Sequence, residues 1–80
     1  MEWFVYVLKL KNGKYYVGST NNLQRRLDQH HQGKNLATKH LRPIELLWYK
    51  KFAEVSEARK MEYYIKKQKD RKYIEYIMDS

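Results

Sequence analysis

Residues 3–10, WFVYVLKL, are apolar at nearly every position and rich in β-branched and aromatic side chains. A run without polar alternation predicts a strand covered on both faces, hence central in its sheet. Asn12-Gly13 is a hairpin signal, and Lys14–Ser19 reads as the return strand. Two loops fit this hairpin. A two-residue Asn-Gly loop pairs Leu10 with Tyr15 and sends Tyr6 and Tyr16 to opposite faces of the sheet. A three-residue loop, Lys11-Asn12-Gly13 with the glycine left-handed, pairs Leu10 with Lys14; Tyr6 then lies opposite Gly18 and Tyr16 opposite Leu8, all on one face. The hydrophobic pattern leaves both open.

Thr20, Asn21 and Asn22 are N-cap candidates for a helix that runs to about Gln32 and stops at Gly33. Leu23 and Leu27 form its apolar stripe. Arg26 and His30, also four apart, form a parallel stripe that the helix would hold at the edge of its contact with the sheet. Residues 33–43 read as a basic loop ending at Pro43, and Ile44–Phe52 alternates as a third strand. Ser56 is expected to cap a second helix whose apolar line is Ala58, Met61 and Ile65, with Glu62 beside that line. Asp70 can cap a short last helix with Tyr73, Ile74 and Ile77 on its apolar face. The order β-β-α-β-α-α makes an α+β fold, a three-stranded antiparallel sheet with flanking helices, expected as one domain over residues 1–80.

Eighty residues bury only about 60–65% of their unfolded surface, so the 15% aromatic content matters as core volume. Cysteine is absent, which excludes disulfides, thiolate metal ligands and a thiol nucleophile. Neither a membrane-spanning run nor a signal-peptide pattern is found, and a soluble cytoplasmic protein is expected. The net charge of +8, from 17 basic and 9 acidic residues, changes the picture most, because a field of this size on a small domain favours polyanions.

Phosphate-binding glycine loops, HExxH and a serine–histidine–acid set in recognisable context are all missing. Ser19 with His30 is better read as a turn residue near a helix than as a hydrolase pair. What remains is Tyr6, Tyr16, Arg26, His30 and Glu62. Singly each has an ordinary explanation: strand packing, a solvated guanidinium, a helix-end imidazole, and an i,i+4 pair of Glu62 with Lys66. Together on a basic chain they make the parts for phosphodiester cleavage, namely a cation for the phosphorane, a carboxylate for a divalent metal and a phenol for the water's proton.

Phe4-Val5-Tyr6, then Tyr16-Val17-Gly18, then Leu23 to His30 (LQRRLDQH), and later Ser56 to Lys66 (SEARKMEYYIK) resemble the GIY-YIG nuclease signature and its glutamate helix. The resemblance covers about residues 3–78 and is closest to small stand-alone members, which are similar to the excision-repair incision module and to Slx-type nucleases. It implies that Tyr6 is the general base or its relay and that Tyr16 orients water or phosphate. It further implies that Arg26 stabilises the transition state, that His30 tunes a tyrosine, that Glu62 holds one Mg²⁺ (or Mn²⁺) and that Gly18 permits close backbone approach. Arg26 rather than Arg25 matches the family's spacing. A free phenol, with its pKa near 10, is only about 0.1% ionised at neutral pH, so nearby positive charge must favour phenolate. Both tyrosines serving one site requires the three-residue loop.

The chain departs from the pattern at Phe4-Val5, where the family has Gly-Ile, and lacks the asparagine that larger members carry after the glutamate helix. Arg25, Lys34, Lys39, His40, Arg42 and Lys66 are the expected nucleic-acid contacts; Lys66, Lys67, Lys69, Arg71 and Lys72 form a second basic cluster. The expected function is a metal-dependent endonuclease acting on DNA, in branched, flapped or single-stranded form, in repair or recombination. Whether a protein partner or a second copy takes part is left open. The alternatives are a catalytically inactive DNA- or RNA-binding module and a protein-interaction domain.

Overall fold

In the computed structural model, residues 2–68 and 70–79 are described, and all structural statements concern these. The chain runs β1 (Trp3–Lys9), β2 (Tyr15–Thr20), α1 (Leu23–His31), a 3-10 turn (Lys39–Leu41), β3 (Glu45–Phe52), α2 (Val55–Gln68) and α3 (Arg71–Met78). The strands form one antiparallel sheet of order β2-β1-β3, so the uninterrupted apolar strand is central. Val5, Tyr6, Val7 and Leu8 are all buried because helices cover both faces. Leu23 and Leu27 of α1 pack on the Tyr6 and Leu8 side, while Ala58 and Ile65 of α2, with Ile74 and Ile77 of α3, pack on the Val5 and Val7 side.

The hairpin takes the three-residue loop. Leu10 N–H donates to the Lys14 carbonyl at 2.9 Å, Gly13 N–H to the Leu10 carbonyl at 2.9 Å, and Gly13 has φ +82°. A side chain is strained at that φ, which is why glycine stands there. The resulting ladder sets Tyr6 opposite Gly18 and Leu8 opposite Tyr16. Since alternate residues share a face, both phenols lie on the α1 side.

One feature of β3 was not foreseen. Val7 pairs with Trp48 but Leu8 pairs with Leu46, so Leu47 is an extra residue in a bulge. Residues two apart normally point the same way; the bulge instead sends Leu46 to the α1 core and Trp48 to the α2–α3 core.

Asn22 is the N-cap of α1, accepting the Arg25 N–H at 3.0 Å, and Gly33 follows the helix end with φ +77°. Asp70 caps α3 by accepting the Lys72 N–H at 2.9 Å. Ser56 does not cap α2: the helix already begins at Val55, and Ala58 N–H donates to the Glu54 carbonyl at 3.3 Å, which places Ser56 inside the first turn. Among the described residues no helix is long and apolar enough to cross a membrane.

Candidate active site

Tyr6 projects from the central strand, and its ring lies across Gly18 of the neighbouring one. A Cβ built at Gly18 would stand 2.5 Å from the phenolic oxygen and 2.6 Å from Cζ, so the crossing needs a residue without a side chain. The hydroxyl ends 3.1 Å from His30 Nε2, and His30 Nδ1 lies 2.8 Å from Thr38 Oγ1. All three residues are buried: Tyr6 is 1% exposed, His30 and Thr38 0%. Thus His30 does not sit at the rim of the helix–sheet contact, as its stripe with Arg26 suggested, but fully inside it. Tyr16 completes the cluster, its ring centroid 5.2 Å from that of His30 and 6.4 Å from that of Tyr6.

The protonation states follow from burial. Desolvation lowers His30 below its usual range, and the charges of Arg26 and His31 lower it further, so it is a neutral imidazole. Burial is also the largest influence on Tyr6 and raises its pKa; Tyr16 and Glu62 add to the rise, and Arg26 opposes it. The folded chain therefore holds Tyr6 as a neutral phenol, against the requirement that nearby positive charge favour phenolate. A neutral phenol beside a neutral imidazole supports a different assignment. Both contacts are satisfied by either neutral tautomer; a proton relay uses the one in which the Tyr6 hydroxyl donates to Nε2 and Nδ1–H donates to Thr38.

Arg26 is half-buried on α1 and close enough for its charge to act on both Tyr6 and His30. Among the described residues its guanidinium has no carboxylate partner. Glu62 comes from α2, on the other side of the sheet. Its Oε1 accepts from Ser19 Oγ at 2.5 Å and its Oε2 pairs with Lys66 Nζ at 2.7 Å. Gly18 and Ser19 are consecutive on β2, the edge strand, so they face opposite ways. Tyr6 thus reaches this edge over Gly18, and Glu62 reaches it over Ser19; the site straddles the strand.

The donor set can be tested against a divalent ion. Among the described residues there is no group of three or more histidines, cysteines or carboxylates, which excludes an all-protein cage. Mg²⁺ is commonly bound through one or two carboxylates, its other positions filled by water and substrate phosphate. Glu62, with its side chain 19% exposed and a hydroxyl beside it, fits that pattern.

Of the expected nucleic-acid contacts, Arg25 is exposed and donates to Asn21 Oδ1 at 3.0 Å, and Lys34, Lys39 and His40 are exposed on the loop after α1. Arg42 has a structural task, donating to the carbonyls of Lys39 at 3.0 Å and His31 at 3.1 Å. Lys66 is bound to Glu62 as above. Lys67 and Lys72 are exposed, whereas Lys69 lies outside the described residues. Two contributors escaped the sequence reading. Thr38 carries no signal in a polar loop, but Ser19 could have been found: its parity on β2 puts it on the face where α2 packs.

Residues 2–74 match the GIY-YIG catalytic domain. The chain belongs to the GIY-YIG family. Its fold is accordingly a nuclease-type fold. A UPF0213 protein of Nitratidesulfovibrio vulgaris is 45% identical over 67 residues, covering 82% of this chain and 61% of that protein, so the chain spans under two thirds of that relative's length. The UPF0213 protein YazA of Bacillus subtilis is 41% identical over 75 residues, 92% of this chain and 76% of YazA. Among solved structures, the solution NMR structure of the UPF0213 protein BH0048 from Bacillus halodurans superposes with a TM-score of 0.64 at 32% identity, covering 99% of this GIY-YIG chain and 84% of that one.

Proposed function

We propose that this chain is a metal-dependent endonuclease that hydrolyses DNA phosphodiester bonds. The observation that supports it best is the meeting, at one strand edge, of a guanidinium with no acidic partner among the described residues, a phenol bonded to a neutral imidazole, and a carboxylate. In this reading Arg26 binds the scissile phosphate and stabilises the charge that builds on its oxygens. Glu62 would hold Mg²⁺ or Mn²⁺, and such an ion would polarise the phosphoryl group and neutralise part of its charge. Tyr6 works as a relay: its oxygen takes a proton from the attacking water as its own proton passes to His30 Nε2. Thr38 keeps Nε2 free to accept by holding Nδ1–H. Tyr16, beside both rings, orients the water or phosphate. Action on branched or single-stranded DNA, and a role in repair inside the cytoplasm, extend the proposal by family analogy.

The test is nicking of supercoiled and branched DNA with Mg²⁺ or Mn²⁺. Arg26→Ala should lower the rate by about 10²–10³-fold, and Glu62→Ala should abolish the metal response, while both variants fold and bind DNA. Wild-type protein that binds DNA but never cuts it would refute the enzyme.

A second reading, a basic DNA- or RNA-binding module, is favoured by one observation. Both Glu62 oxygens are already engaged, one by Ser19 and one by Lys66. It predicts salt-dependent affinity without metal-dependent cleavage.

A further inference from the structure

A cleft of about 390 Å³ opens on the β2 edge, between that strand and the α2–α3 junction. Its floor is apolar, made by Val17, Ile65 and Ile74, while Lys14, Lys66 and Arg71 stand around it. Among the described residues Asp70 is the one acid in the lining, and its carboxylate caps α3. One wall is ordered in advance. The Arg71 guanidinium lies 4.5 Å from the Tyr15 ring centroid, donates to the Gly13 carbonyl at 2.9 Å and meets Glu75 at 3.7 Å; the Tyr15 hydroxyl also donates to Glu75 at 2.9 Å.

The cleft adjoins the candidate active site on the Glu62 side. Tyr16 belongs to both, and Lys66, on the cleft's lining, is the residue paired with Glu62. We propose that this cleft takes one unpaired nucleobase of the DNA strand, next to the phosphate held at Arg26 and Glu62. The inference rests on the endonuclease reading and names its substrate class. A flat ring needs an apolar floor and a planar group to lie on, and guanidinium planes and aromatic rings serve single-stranded bases in this way. The phosphates flanking that base need cations: Lys14 supplies one, and Lys66 another once it turns from Glu62 to the strand. A phosphate site alone would need no apolar floor, and an apolar peptide would need no ring of cations. A base stacked within a duplex cannot enter, so the cleft selects nucleotides that are unpaired or cheaply extruded.

The test uses metal-free protein, in chelator, with two DNA hairpins: one carries a single bulged adenine, the other an abasic bulge at the same position. The adenine hairpin should bind about tenfold more tightly, with NMR shift changes concentrated at Tyr15, Val17, Arg71 and Ile74. Ile74→Phe, which fills the cleft, should erase that difference and leave affinity for the abasic hairpin unchanged. Equal affinities for wild type, or shifts located elsewhere, overturn the proposal. Should Ile74→Phe fail to fold, the wild-type comparison decides alone. The nicking assay is separate: base-selective binding without nicking sinks the endonuclease and keeps the cleft, and nicking without base selectivity does the reverse.

Discussion

Tyr6 and Gly18 face each other across the β1–β2 ladder, and the phenol occupies the space a side chain at position 18 would need. The glycine is thus part of the hydroxyl's positioning rather than a turn residue. Gly18→Ala should push the Tyr6 ring off its place and break its contact with His30. We expect a loss of about 1–3 kcal/mol in urea unfolding, as for other overpacked cores, and a matching collapse of nicking. Full nicking in a folded Gly18→Ala protein would show that the position of the phenol is immaterial.

Thr38 acts through His30. In the tautomer the relay uses, Thr38→Val keeps the shape but leaves a buried Nδ1–H without an acceptor, at a cost of about 1–3 kcal/mol. Long-range ¹H–¹⁵N spectra should show the His30 tautomer mixture change, and Thr38→Ser should restore it. An unaltered tautomer in the valine variant would remove Thr38 from the relay.

The state of His30 also shapes acid stability. Its folded pKa lies below the usual 6.5, so as pH falls through that value the unfolded chain takes up a proton that the folded chain refuses. The stability present above about pH 6.5 is therefore lost on acidification. Urea unfolding at about pH 7.5 and about pH 5.5 should show a smaller loss for His30→Gln than for wild type. Equal losses would mean that the imidazole is not held neutral.

Lys66 competes for the carboxylate on which any ion would depend. Because the pair is partly exposed, Lys66→Met should barely alter stability, yet it should tighten Mn²⁺ binding about two- to fivefold. Paramagnetic broadening of amides near Glu62 during a Mn²⁺ titration reads this directly. No gain in affinity would indicate that Glu62 is not the ligand.

Much of this was legible in the chain itself. The continuous apolar run of β1 announced a central strand, and demanding one face for both tyrosines selected the odd-length hairpin. The helix stripes placed Arg26 with His30 and Glu62 beside the α2 core line. The rest depended on forces that no spacing records. IELLWYKKF alternates well enough to hide the extra residue at Leu47, because apolar side chains suit either face of a strand covered on both sides. Thr38 lies in a loop with no period, and only the fold brings it to the imidazole. The rise in the Tyr6 pKa comes first from burial, a property of the packed core rather than of any motif.

Gathering these groups from the central strand and two helices around the sheet's outermost strand has a practical result. Among the described residues no further strand lies beyond β2, so its outer edge has no strand paired to it. In the endonuclease reading, a long polymer would lie along that edge and be gripped sideways at any point in its length, with neither of its ends threaded through a channel.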